Sequence, residues 1–128
     1  MSGAVLVFLG AGLGGVLRHG VNLASARAFS PAFPWGTLAV NVLGSLLMGL
    51  LAGFLAQRAG AGWAQPARLF LGTGVLGGFT TFSAFSLDAA LLWERGEAGA
   101  AALYVAASVL LSLAALAAGL WLARVLAS

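Results

Sequence analysis

Four long apolar stretches constrain this chain more than any other feature of its sequence. They run about Gly3–Ala24, Trp35–Gln57, Leu69–Leu92 and Gly99–Leu122. Each is about 22 to 24 residues long, enough for a helix rising ~1.5 Å per residue to cross a ~30 Å hydrocarbon core. Short breakers separate them: Ser30-Pro31-Ala32-Phe33-Pro34, Ala59–Pro66 and Glu94-Arg95-Gly96-Glu97. Trp35, Trp63, Trp93 and Trp121 fall near the proposed ends, where interfacial aromatics belong. The expected fold is all-α and integral to a membrane, a single domain of four transmembrane helices over 1–128.

Charged residues make up only 7% of the chain, against roughly 25% in typical globular proteins. Nine charged side chains cannot cover a water-facing surface, but a lipid-facing one needs no more. The absence of cysteine excludes disulfides and thiolate chemistry. Every basic residue is Arg, and six scattered Arg do not form a nucleic-acid surface. No basic segment precedes the first apolar run, which therefore reads as a span and not as a signal peptide.

With four spans, the second loop and both chain ends share one side of the membrane. That side holds Arg58, Arg68 and Arg124, and the other holds Arg27, Arg95 and Arg18. Orientation normally follows an excess of Lys and Arg on the cytoplasmic side. Such an even division predicts insertion in both orientations, against the plainer reading that loop counts this small are noise.

The helices carry polar stripes. Span two places Thr37, Asn41, Ser45, Gly49 and Gly53 at i+4 steps on one face. In lipid such a face marks close helix packing, and its polar members need partners away from the acyl chains. Span four repeats the device with Tyr104, Ser108 and Ser112. Each Ser could satisfy itself on a carbonyl one turn back, or the three could line an ion-bearing path. Span one aligns Gly10, Gly14, Arg18 and Asn22, with Arg18 facing protein or snorkelling to the headgroups. His19 lacks a second metal ligand and reads as interfacial.

Span three is the odd one. Gly72, Gly74, Gly77 and Gly78 precede Thr80-Thr81-Phe82-Ser83-Ala84-Phe85-Ser86. Paired glycine followed by Thr-Thr is poor helix material. This predicts an interruption at Gly77–Thr80, against the alternative of a kinked helix whose glycines only admit a neighbour. Unwound backbone at membrane depth survives only inside protein or beside a cavity, where its carbonyls and amides can meet ions.

The run Gly74–Ser86 resembles the signature of the bacterial fluoride channels, the family known as CrcB or Fluc. Gly14-Gly15-Val16-Leu17-Arg18 is similar to that family's first-helix motif, and Gly36-Thr37-Leu38-Ala39-Val40-Asn41-Val42-Leu43-Gly44 to its second. Tyr104, Ser108 and Ser112 match its fourth-helix hydroxyl track, so the resemblance covers essentially the whole chain. It implies an antiparallel, dual-topology homodimer in the bacterial inner membrane with two fluoride pores. It implies a structural sodium ion at the dimer centre, not transported, held by backbone carbonyls of Gly77 and Thr80. Asn41 carries over as a pore amide, and Phe82 and Phe85 as the aromatic lining. Thr37, Ser83, Tyr104, Ser108 and Ser112 complete the expected pore, with Arg18 at its vestibule. Two positions depart from the family pattern: Ala84 stands where Thr is common, and His19 where an aromatic residue is common.

The chemistry suits a small, strongly hydrated anion. Bare transfer of such an ion into a low-dielectric medium costs on the order of tens of kcal/mol. Amide and hydroxyl donors can replace water, and phenylalanine presents a positive ring edge. The expected function is passive, fluoride-selective conduction that lowers cytoplasmic fluoride and protects the cell from its toxicity, with no enzyme chemistry. A small dual-topology drug/proton antiporter is the alternative. It needs a membrane-embedded carboxylate, and only Asp88, late in span three, is available. Asp88 reads as an entrance residue or as the partner of an Arg. A purely structural membrane subunit would explain the glycine seams but not the Thr-Thr-Phe-Ser run.

Overall fold

The computed structural model describes residues 1–127. Helix α1 spans Gly3–Ala28 and α2 spans Trp35–Ala56. The third crossing is made by two helices, α3 over 64–79 and α4 over Phe82–Glu94. Helix α5 spans Ala98–Ala127. All four crossings are long and apolar enough to traverse a membrane. Three of them extend beyond the expected limits: α1 continues to Ala28, the third crossing runs over Ala64–Glu94, and α5 reaches Ala127.

Local chemistry sets the ends. Ser2 Oγ accepts the Val5 N–H at 3.2 Å and caps α1. The chain then turns through Pro31 and Pro34, the second of which directly precedes α2. Between α4 and α5 only three residues turn the chain. Gly96 adopts φ +79°, the Gly96 N–H reaches Trp93 O and the Glu97 N–H reaches Leu92 O. This paired closure needs a left-handed residue, which glycine accepts without a Cβ clash. Arg95 then ties this turn to the α1–α2 loop through Ala32 O at 2.9 Å.

The interruption of the third crossing lies later than expected. Gly77, Gly78 and Phe79 are helical, and the chain leaves helix at Thr80 (φ −88°, ψ 158°) and Thr81 (φ −153°, ψ 117°). The β-branched pair breaks the helix, since extended backbone suits it better. The glycines serve a different purpose. A Cβ on Gly78 would run into the Ala11 backbone, and one on Gly14 into the Val75 carbonyl. Gly10 and Gly74 meet across the same seam. Lipid offers no hydrophobic drive for helix association, so such close backbone packing holds α1 to α3. Within α3, Arg68–Leu76 is wound as a π-helix. Runs of that winding are rare and usually a single turn; nothing in the periodicity pointed to it.

The most extensive helix pair is α2 with α5. Gly49 and Gly53 of the α2 ladder lie against Gly119 and Ala123 of α5. The lower half of the ladder is thus a packing seam. Between α4 and α5, Phe85, Leu92, Ala101 and Tyr104 form a small core. Most other large apolar side chains face outward, as lipid contact requires.

Candidate functional site

A side-opening cavity of about 380 Å³ lies at the Thr80–Thr81 interruption. Helix α2 supplies Asn41, Gly44, Ser45 and Met48, and the break supplies Thr80 and Thr81. Helix α4 adds Phe82 and Phe85, and α5 adds Ser108 and Ser112 above an apolar floor of Val109, Leu113 and Leu116. Asn41 and Ser45 of the α2 ladder therefore share this cavity with Ser108 and Ser112 of the α5 hydroxyl track.

Asn41 anchors this arrangement. Its Nδ2 donates to Thr81 O at 3.0 Å, and its Oδ1 accepts the Thr81 N–H at 2.8 Å. One side-chain amide thus satisfies both backbone groups of a non-helical residue inside the membrane, where each would otherwise be costly. One Nδ2 proton remains beyond the bond to Thr81. Thr81 Oγ1 accepts the Ala84 N–H at 3.1 Å and starts α4. Thr80 Oγ1 donates to Leu76 O at 2.9 Å and closes α3.

Diverting the Thr81 amide has a consequence one turn back. That N–H is the i+4 donor that a continued α-helix would aim at the Gly77 carbonyl. It points to Asn41 instead. Gly77 is exposed, and a Cβ there would meet only Gly72 O, at 3.6 Å. Unlike Gly10, Gly14, Gly74 and Gly78, it is not required by packing within the subunit. Arg18 on α1 donates its Nε to the neighbouring Gly78 carbonyl at 3.1 Å. A guanidinium on the last carbonyls of a helix complements their partial negative charge.

Phe82 and Phe85 stand 5.4 Å apart, tilted by 54°. They differ sharply in setting: Phe82 is 78% exposed at the cavity edge, whereas Phe85 is 9% exposed and packs on Tyr104 at 5.3 Å. Ser108 is buried, and its Oγ has no hydrogen-bond partner among the described residues. Native interiors rarely tolerate a bare buried hydroxyl, so this one calls for an explanation.

Three expected pore residues stand outside the cavity wall. Tyr104 is fully buried behind Phe85, and its hydroxyl donates to Asp88 Oδ2 at 3.1 Å. Asp88 thus has a phenol as its partner, not an arginine. Thr37 is buried near the start of α2. Ser83 is exposed, with its Oγ 3.3 Å from Thr81 Oγ1. Conversely, Ser45 and Thr81 line the cavity, although the sequence did not mark them as pore residues. Ser45 had a signal, since it follows Asn41 by one turn on the same ladder. His19 is exposed, and the described residues contain no cluster of three metal-ligating side chains.

Comparison with known proteins places the chain in a family. The sequence pattern of the family described as CrcB-like protein, Camphor Resistance (CrcB), matches residues 5–120. The chain is 62% identical over 120 residues to fluoride-specific ion channel FluC 2 of Nitrobacter hamburgensis, covering 94% of this chain and 95% of the relative. It is 59% identical to fluoride-specific ion channel FluC of Rhodopseudomonas palustris over the same shares. Identity is 57% to the FluC of Hyphomonas neptunium, over 97% of both chains. A pattern matching nearly the whole length, on four membrane-length crossings with the third one broken, establishes that the chain belongs to the CrcB-like family.

Proposed function

We propose that this multi-pass bacterial membrane protein is a passive, fluoride-selective channel that lowers cytoplasmic fluoride. The observation that carries the reading is the composition of the cavity at the break. Its polar lining consists of an amide and hydroxyls, and no carboxylate lines it. The buried Ser108 hydroxyl, without a protein partner, is a donor left for a ligand. Such a site suits a small anion that must trade its water for protein donors. Asn41 offers its remaining N–H, while Ser108 and Ser112 offer O–H groups. Phe82 and Phe85 add ring edges, weak donors that let an anion leave as readily as it arrives. The same lining disfavours a drug/proton antiporter, because the embedded acid, Asp88, is bonded to Tyr104 outside the cavity.

In this reading the working unit is an antiparallel homodimer of inverted copies. Three features support it. The arginines divide evenly between the two sides, so neither orientation is imposed. Phe82 lies exposed at a cavity open to the subunit's flank. Gly77 is exposed and carries no side chain where no neighbour in its own subunit requires a glycine. A partner would cover both. The carbonyls of Gly77 and Thr80 fit a resident sodium ion, which takes hard oxygen donors. Its chemistry there would be structural, holding the two breaks together. Tyr104 and Thr37 support the pore wall from behind Phe85, Ser83 stands beside Thr81 at the break, and Arg18 lies on the vestibule side, where it also secures the end of α3.

The test is fluoride efflux from liposomes loaded with fluoride and reconstituted with purified protein, read on a fluoride electrode. Rapid efflux without ATP or a proton gradient is expected. Retained fluoride with folded protein in the bilayer would end the channel reading.

A further inference from the structure

A second groove, of about 670 Å³, lies away from the break, between α2, the π-wound part of α3 and the end of α5. Leu47, Leu51, Leu71 and Val75 line it, with Phe54 and Arg58 toward one end. Along α2 the lining runs from Leu47 to Phe54, about 10 Å at ~1.5 Å per residue, with Arg58 in the turn just beyond the helix. That is about two-thirds of a single leaflet, taken as half of a ~30 Å hydrocarbon core.

Charge is asymmetric in the same direction. Arg58, Arg68 and Arg124 lie toward this end of the subunit, whereas Asp88, Glu94 and Glu97 all lie toward the other. The one side-chain salt bridge among the described residues, Arg95 with Glu97, is also at the far end. Arg58, in the turn just past α2, folds back onto the end of that helix. Its guanidinium carbon sits 3.9 Å over the Phe54 ring, and Nη1 lies 3.5 Å from Phe54 O. These contacts leave an exposed, planar set of donors at the mouth of an apolar groove.

We propose that this groove is a binding site for an anionic phospholipid, with one acyl chain along Leu47–Phe54 and the phosphate on Arg58. A guanidinium binds phosphate oxygens through parallel, charge-assisted hydrogen bonds. A groove that fits within one leaflet, and a cation with no carboxylate partner among the described residues, favour a lipid over a second copy of the chain. No residue lines both this groove and the cavity at the break.

Trp63 reports on the mouth, since its ring stacks on Phe54 at 6.1 Å. A single-tryptophan protein carrying Trp35→Phe, Trp93→Phe and Trp121→Phe is reconstituted in phosphatidylcholine vesicles. Fluorescence quenching is then compared between phosphatidylglycerol and phosphatidylcholine carrying brominated acyl chains. The brominated phosphatidylglycerol should quench Trp63 at about fivefold lower mole fraction, the equivalent of about 1 kcal/mol per basic residue. Arg58→Gln should remove that preference and Arg58→Lys should retain most of it. Leu47→Phe with Leu71→Phe, which narrows the groove and leaves Arg58 intact, should weaken quenching by phosphatidylglycerol. Equal quenching by both lipids overturns the proposal, as does a preference that survives Arg58→Gln. A full preference in the narrowed groove means headgroup attraction without a seated chain and also overturns it. Protection of Trp63 from both lipids means that another protein surface covers the groove, which overturns it as well.

Discussion

Replacing Asn41 by Leu removes the side chain that holds the break while keeping its approximate size. Two hydrogen bonds vanish, at 3.0 and 2.8 Å, both to Thr81. Their worth is bounded on two sides. Interhelical side-chain hydrogen bonds in membranes average about 0.6 kcal/mol, so the pair sets a floor of roughly 1.2 kcal/mol. Leaving the Thr81 N–H and C=O unsatisfied costs about 1–3 kcal/mol each, a ceiling of roughly 6 kcal/mol. The outcome between these limits depends on whether water reaches Thr81. That residue is only half-buried and borders the cavity. A hydrated cavity re-satisfies the freed groups, so the expected loss is about 1–2 kcal/mol, small enough for the protein to stay folded. Fluoride flux, by contrast, should fall at least tenfold, because both the last amide donor and the geometry of the break are gone. Reversible unfolding in mixed detergent measures the first quantity and liposome efflux the second. Wild-type efflux from a folded Asn41→Leu protein would refute the role assigned to the amide. A loss near 6 kcal/mol would show that the cavity is dry.

Ser108→Ala separates stability from transport. It deletes a buried hydroxyl that has no protein partner, so unfolding should show no loss and up to about 1 kcal/mol of gain, while efflux slows. Phe82→Ile and Phe85→Ile should both slow efflux but differ in stability. The exposed Phe82 should cost the isolated subunit little, whereas Phe85 gives up its contact with Tyr104 and about 1–2 kcal/mol, by the same unfolding assay. Gly14→Val should prevent folding altogether, since a Cβ there already meets Phe79 N at 2.8 Å and Val75 C at 2.9 Å. A monodisperse Gly14→Val protein on size exclusion would show that the α1–α3 seam can open.

The four crossings were legible because lipid imposes a length and a composition that few other settings do. The i+4 ladders of α2 and α5 were legible for the same reason, since polar groups stand out against an apolar background. The division of the α2 ladder was not. Asn41 and Ser45 face the cavity while Gly49 and Gly53 pack on α5, and the ladder's spacing is the same throughout. The break was foreseen but placed too early, because glycine is a weak helix former in water. Against a neighbouring helix in lipid the same residue is what lets backbones touch, so Gly77 and Gly78 stay helical and the threonines part. The π-winding of Arg68–Leu76 and the pairing of Asp88 with Tyr104 depend on which helices are neighbours, and periodicity along one helix does not contain that.

The break also divides the subunit mechanically. Helix α3 is joined to α1 by the glycine seam and by Arg18 on Gly78. Helix α4 is joined to α5 by Tyr104 on Asp88, and α5 in turn to α2. The two halves of one membrane crossing therefore rest mainly on different bodies, although α3 also touches α2 at Gly44 and Leu51, and Thr80 and Thr81 run between them along that crossing. Asn41 fastens Thr81 to the α2 body, and the Thr80 methyl packs on Gly44 of the same helix while its hydroxyl holds Leu76 O. Any rocking of α1–α3 against the rest would change the distance between the Gly77 carbonyl and the cavity while leaving the cavity's own walls, all carried by the second body and the break, in register.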